Sequence, residues 1–284
     1  MQLRVGLFAK TFAGPGVDGV LDSVAHHRLS VVQFNLSCAG LDTVPAVIDA
    51  DTCSDIRRAF CYRGIEMAAL SATYNMIDPD RSRRELMTRR AAQLIRVAPL
   101  LGTHMVTLCT GSRDRHDMWR EQPENNSSDS WRDLTETLCQ LIPVAEASEV
   151  TLGIEPERGN VVNSAQKARN LLNELRSKRL RIILDGANLC NSSSPVGNHH
   201  ILQEAFELLG PDVYLIHAKE IPAGADTKLQ AVGQGRMNWK TYFDEIKAIQ
   251  FSGSIIVHNV EPRHVDDSVR FVRESLAARG LFAR

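Results

Sequence analysis

Four side chains able to hold a metal close four apolar runs: Glu155, Asp185, His217 and His258. The runs, Val150–Glu155, Leu180–Asp185, Val213–His217 and Ser254–His258, have the composition and length of buried strands. An unpaired charge at the mouth of a buried strand is costly. Such residues therefore need a metal, an ionic partner or a catalytic task. A single acid or histidine at a strand end is usually a cap, a salt-bridge partner or a satisfied core residue. Four of them at the same point of successive strands point instead to one divalent metal site. Two carboxylates and two imidazoles suit Mn, Zn, Co or Fe better than Ca or Mg, which prefer oxygen alone. Glu157 follows Glu155 by two residues, so in extended chain both face the same way.

The four residues are spaced by 30, 32 and 41 positions. A barrel of typical size advances about 31 residues per strand–helix unit. The first two gaps match one unit each, and the third matches one unit plus the loop Ile221–Met237. Further apolar runs, at Leu3–Phe8, Val31–Leu36, Ile65–Ala72 and Met105–Cys109, predict four more strands. Helical patterns lie between them, near Val20–Arg28, Asp51–Arg63, Arg81–Leu101, Ser130–Ala147, Ala165–Ser177, Ile201–Leu209, Trp239–Ile249 and Val265–Ala278. Ser130 and Ser164 are placed to cap two of them. Eight alternations of strand and helix predict a (β/α)₈ TIM barrel forming one domain over residues 1–284. A doubly wound open sheet is the alternative, but no GxGxxG follows the first strand.

Around the four lie other candidates. Asn188 is placed to donate to a substrate or to hold Asp185, although a turn-forming Asn is an equal reading. Lys219 is placed to neutralise a developing oxyanion, or to form a surface pair with Glu220. Gly233-Gln-Gly235 reads as a tight turn into a helix, too weak for a phosphate loop. The polar insert Thr110–Asp129 follows the fourth strand, where a barrel keeps its substrate loops, and reads as a lid. Within it Trp119 is suited to stack on a sugar face, and Arg113, Arg115 and His116 to meet an anion. The pairs His26-His27 and His199-His200 read as surface residues.

With 33 Lys+Arg against 34 Asp+Glu, the chain has no electrostatic bias toward nucleic acid or an anionic membrane. No apolar run approaches the ~18 residues of a membrane span, and the N-terminal run is too short for a signal peptide. Six cysteines without a CxxC pair read as reduced and structural, with Cys61 and Cys139 as small hydrophobes in helices. The expectation is a cytoplasmic protein without nucleic-acid or membrane partners.

Val213-Tyr-Leu-Ile-His-Ala-Lys-Glu220, Gly233-Gln-Gly235 with Trp239, Leu152-Gly-Ile-Glu-Pro-Glu157 and Ile183-Leu-Asp-Gly-Ala-Asn-Leu189 together resemble the xylose isomerase-like TIM barrels, the sugar phosphate isomerase/epimerase group. Ser71-Ala-Thr-Tyr-Asn-Met76 and Leu108-Cys-Thr-Gly-Ser-Arg-Asp114 with Trp119 resemble sugar-binding loops of one subgroup. The resemblance implies one divalent ion on Glu155, Asp185, His217 and His258, a carbohydrate substrate bound by Asn75, Trp119, Glu157, Asn188 and Lys219, and homo-oligomers. It implies catalysis of isomerisation or epimerisation through a metal-held enediolate, with Glu155 and His258 as the catalytic pair. His258 departs from the family's strand-eight Glu, since an imidazole does not readily bind metal and move a proton together. Three alternatives remain open: a metal-dependent lyase, dehydratase or hydrolase on a keto-sugar or polyol; a non-catalytic sugar-binding barrel; and, with the least support, cleavage of damaged DNA in the manner of endonuclease IV.

Overall fold

A computed structural model describes residues 3–12, 14, 16–190, 195–223 and 229–282. Eight parallel strands run β1 (Arg4–Phe8), β2 (Val31–Phe34), β3 (Glu66–Ser71), β4 (Met105–Cys109), β5 (Thr151–Glu155), β6 (Leu180–Asp185), β7 (Val213–Ala218) and β8 (Ser254–Val257). They pair in sequence order, and β8 pairs with β1 to close the barrel. Nine α-helices of the described residues alternate with them: α1 (Gly16–His26), α2 (Ala50–Tyr62), α3 (Arg81–Leu101), α4 (Ser128–Ala147), α5 (Ala165–Leu175), α6 (Gly186–Leu189), α7 (Pro195–Leu209), α8 (Trp239–Ala248) and α9 (Val265–Ala277). The structure is the TIM barrel that the alternation predicts. None of the described helices is long and apolar enough to cross a membrane.

Two separate apolar clusters explain why the barrel closes. Because side chains alternate across a strand, neighbours in sequence enter different cores. Val32, Leu70, Val106, Leu152, Ile154, Ile182, Leu184, Ile216, Ile255 and Val257 pack outward under the helices. Val31, Ala69, Met105, Ile183, Leu215 and Ile256 form a second cluster that fills the lumen. Gly153 also belongs to this inner layer. A Cβ there would sit 2.2 Å from Met105 Cε and 2.8 Å from Ile183 Cγ1, so only glycine leaves room for both.

Two residues beyond each lumen residue, about 6.6 Å further along the strand, the inward side chain becomes polar. Val31 is followed by Gln33, Ala69 by Ser71, Met105 by Thr107, Gly153 by Glu155, Ile183 by Asp185, Leu215 by His217 and Ile256 by His258. An apolar plug thus carries a polar ring at the carboxyl end of seven strands. At β1 the ring position is Phe8.

Several expected boundaries move. β8 ends at Val257, one residue before His258, although the His258 amide still donates to Ala218 O at 3.0 Å. Ser164 caps α5 as expected, accepting from Lys167 N. For α4 the cap is Ser127, not Ser130; Ser130 is buried in the first turn and donates to Glu124 O. Cys61 and Cys139 lie in helices but on their exposed faces, so they are not core residues; the buried thiols are Cys38, Cys53, Cys109 and Cys190. The predicted helix Ile201–Leu209 begins earlier, at Pro195, and α6 was not foreseen.

Candidate metal and active site

Three of the four expected ligands converge. One ligand atom each from Asp185, His217 and His258 lies within 4.8 Å of the others. Register brings them there: Asp185 pairs directly with His217 across β6 and β7. Asp185 ends its strand by capping α6, its Oδ1 accepting from Ala187 N at 3.0 Å. That bond leaves Oδ2 buried with no hydrogen-bond partner. The nearest cationic atoms, His217 Nδ1 and Lys219 Nζ, stand 3.8 and 4.0 Å away. The His258 ring lies beside His217, with centroids 4.8 Å apart, and its Nδ1 is also buried and unpartnered. Burial, reinforced by the charge on His217, pushes His258 down to about 3. His258 is therefore a neutral imidazole with a free lone pair, the form that ligates metals.

Glu155 stands against this group. Its Oε1 accepts from His217 Nδ1 at 3.1 Å and from Asn188 Nδ2 at 2.8 Å. Burial opposes its charge, yet His217, His258 and Lys219 together hold the carboxyl well below the usual range. Asn188 in turn accepts from Lys219 Nζ. Lys219 is mostly buried; burial works against its charge, but Asp185, Glu157 and Glu155 outweigh that and raise it. Burial raises the Glu157 carboxyl to about 7 against the pull of Lys219. Of the expected substrate-binding residues, Glu157, Asn188 and Lys219 thus form a charged layer behind Glu155 rather than part of the cavity lining.

The cavity at the carboxyl-end mouth measures about 540 Å³. Glu155, His217 and His258 lie in its floor with Gln33, Ser71 and Thr107; Phe8 and Trp119 give it an apolar wall. Trp119 is 47% exposed and lines the cavity. Another cavity, about 480 Å³, opens at the opposite end around Arg4, Glu66, Tyr214 and Gln250, with no imidazole or thiol in its lining.

The model of the xylose isomerase-like TIM barrel family matches residues 31–276. The chain belongs to this family. Among solved structures, it is similar to a D-tagatose 3-epimerase-like protein (TM-score 0.79, 16% identity, 98% of each chain covered). It is also similar to 3-keto-D-glucoside 4-epimerase, YcjR, from E. coli (TM-score 0.72, 14% identity, 96% of this chain and 100% of that one). A third is the IOLI protein with a binding zinc atom (TM-score 0.72, 16% identity, 99% and 100%). At these identities the likeness is one of fold. No curated protein sequence matches the chain.

Within this xylose isomerase-like barrel, the loop after β4, which its polarity and place mark as a lid, is fastened to the loop after β5. Asn160 bridges it, accepting from Gly111 N at 2.9 Å and donating to Met118 O at 2.9 Å. Asn125 donates to Gly159 O at 2.9 Å. Gly159 itself admits no side chain, because a Cβ would fall 1.9 Å from Trp119 O. Asn75, expected to bind substrate, is committed to the same frame. Its Nδ2 donates to Ser112 O at 2.7 Å, its Oδ1 accepts from Ser112 N, and it does not line the mouth. Arg113 points into the scaffold, donating to Ser130 Oγ, Ile77 O and Asp133, so it is not an anion receptor at the mouth.

Gln33 and Thr107 join the floor without a sequence signal of their own, beside Ser71 from the Ser71–Met76 motif. Gln33 Oε1 meets His217 Nε2 at 2.8 Å, and its Nε2 donates to Ser71 Oγ at 3.0 Å. The Tyr242 hydroxyl braces β6 and β7, the strands that carry Asp185 and His217, from behind. It lies 2.9 Å from both Leu184 O and His217 O and accepts from Gly186 N.

Glu220 is neither at the mouth nor half of a surface pair. It is buried, and four N–H groups surround its carboxylate: Ile221 N and Met237 N on Oε1, both at 2.9 Å, and Gly233 N (2.7 Å) and Trp239 Nε1 (2.8 Å) on Oε2. Gly235 must be glycine for this cradle to close, since a Cβ would lie 2.5 Å from Glu220 Cγ. The turn that resembled a weak phosphate loop is wrapped around the protein's own anion.

Proposed function

We propose that the chain is a divalent-metal-dependent isomerase or epimerase of a sugar or keto-sugar, with Asp185, His217 and His258 as metal ligands and Glu155 completing the set. The observation that carries the proposal is the pair of buried orphan atoms, Asp185 Oδ2 and His258 Nδ1, grouped with His217 beneath a polar and aromatic cavity. Ligand atoms around an ion held at ~2.1 Å sit roughly 3–3.5 Å apart, so side-chain rotations suffice to close a 4.8 Å cluster onto one. The mixed imidazole and carboxylate donors fit Zn, Mn, Co or Fe. A fold shared with a zinc-binding protein and with sugar epimerases agrees with both halves of the proposal.

When bound, such an ion polarises a substrate carbonyl and acidifies the C–H beside it. Glu155 is the residue to take that proton. It lines the cavity; Oε1, held by Asn188 Nδ2 and turned toward His217 Nδ1, is the oxygen that would face the ion, which leaves Oε2 for the substrate. Proton exchange between adjacent carbons needs this one base. Epimerisation needs a second acid or base on the other face of the substrate, which His258, three strands from Glu155, supplies only where it leaves the ion to Asp185, His217 and Glu155. Phe8 and Trp119 suit the C–H face of a sugar, while Gln33, Asn35, Thr43, Ser71, Thr73 and Thr107 suit its hydroxyls.

One observation favours a second reading, metal-dependent elimination or hydrolysis on a keto-sugar or polyol. Besides Glu155, the one carboxylate in the described lining is Glu261, and it is paired with Arg263 at 2.7 Å. Elimination requires a single base and an acid. Incubating the metal-loaded protein with a panel of ketoses and keto-glycosides in D₂O separates the readings. Deuterium uptake with no loss of substrate atoms is the expected result. A product lighter by water or an aglycone would transfer the assignment to a lyase or hydrolase. Ligand binding with neither exchange nor product would leave a sugar-binding barrel.

A further inference from the structure

We infer that Gln33 is a positioning residue that fixes which nitrogen of His217 faces the metal. The inference rests on the metal reading above and concerns a residue outside its ligand set. The two nitrogens of His217 face different surroundings. Nδ1 looks toward the acids, 3.1 Å from Glu155 Oε1 and 3.8 Å from Asp185 Oδ2. Nε2 looks away from them and meets Gln33 Oε1 at 2.8 Å. An imidazole that ligates through Nδ1 carries its remaining proton on Nε2 and needs an acceptor there. Without one, a buried N–H is left unsatisfied, and the ring is free to turn.

Gln33 is built to be that acceptor. It is buried, and it reaches His217 across the lumen from β2, a strand not paired with β7. Its amide has two ends, and the NH₂ end is directed to hydroxyls on the two strands that follow. Nε2 lies 3.0 Å from Ser71 Oγ on β3 and 3.5 Å from Thr107 Oγ1 on β4. With the donor end occupied on that side, the carbonyl oxygen is the end turned to the imidazole. The three members of the polar ring that carry no ionisable group thus act as one chain, in which Ser71 and Thr107 orient Gln33 and Gln33 orients His217. Outer partners of this kind raise a ligand's basicity and hold its tautomer.

The test is the dissociation constant for Co²⁺ and Zn²⁺, measured by chelator competition on wild type, Gln33→Leu, Gln33→Met and Gln33→Glu, with the melting temperature of each recorded in EDTA. Leu and Met fill similar space without an acceptor, whereas Glu keeps one. The expected result is a 10–100-fold loss of metal affinity in Q33L and Q33M, with Q33E as tight as wild type or tighter. A packing role alone would lower the melting temperature of the apo-protein in Q33L and leave the affinity of the folded fraction unchanged. Affinities of Q33L and Q33M equal to wild type overturn the inference and leave the metal site standing. A wild-type protein that binds neither ion removes the metal site itself, and the inference with it. If both apolar variants fail to fold, Gln33→Asn, one methylene too short to span the gap, decides by the same measurement.

Discussion

Glu220 and Asp185 are both buried carboxylates at the carboxyl end of the barrel, yet their surroundings are opposite. Glu220 receives four N–H donors, so each oxygen is satisfied twice. Asp185 receives one amide on Oδ1 and none on Oδ2. A buried anion with a complete set of donors is part of the scaffold, since its desolvation is offset in full by the protein itself. A buried anion left short, next to an imidazole that is also short, is held in a costly state by the structure around it. Such strain is expected where a missing partner arrives later. Burial alone does not distinguish the two; satisfaction does.

Substitutions should separate them. The largest effect is expected at the cradle. Glu220→Ala strands four donors and should lower stability by on the order of 3–5 kcal/mol in urea titration, while the metal affinity of the folded protein stays near wild type. A small loss would mean that the loop re-forms around water, and the contrast with Asp185 would weaken. Next comes Asp185→Asn. Metal affinity should fall by more than about 100-fold, beyond what outer partners lose, while the apo-protein melts near the wild-type temperature, because Oδ2 has no hydrogen bond to lose and its contacts to His217 and Lys219 are long. A destabilised apo-protein would place Asp185 with Glu220 among the scaffold anions. The smallest effect belongs to the rim. Trp119→Ala should raise KM for the sugar by about 3–10-fold with kcat little changed, as expected for a stacking surface that does not sense the transition state.

Much of the barrel was legible because its strands are buried on both faces and read as short apolar runs at near-regular intervals. Glu155, Asp185, His217 and His258 stood out because charged or imidazole groups are rare at the ends of such runs. Gln33, Ser71 and Thr107 occupy equivalent places, yet only Ser71 falls in a recognisable motif, since uncharged polar groups are common in strands. Their signal was positional: each follows by two residues a side chain that fills the lumen. Glu220 was misjudged because the groups that bury it arrive 13 to 19 residues later in the chain. Ser127 caps α4 in place of Ser130 because either serine fits the start of the pattern, and only backbone geometry decides between them. Asn75 and Arg113 lie on loops, where a polar side chain serves a substrate or a neighbouring loop with the same atoms, and here it is the neighbouring loop.

The stacking of a polar ring on an apolar plug has a consequence for how this barrel can change over generations. Closure depends on the lower layer, from Val31 through Gly153 to Ile256, while the proposed chemistry rests on the layer two residues above it. The two layers share strands but no side chains. An exchange in the upper layer therefore alters one slot of a seven-membered toolkit without disturbing the plug that keeps the cylinder shut. A new reaction is reachable one slot at a time, and His258 occupies one such slot.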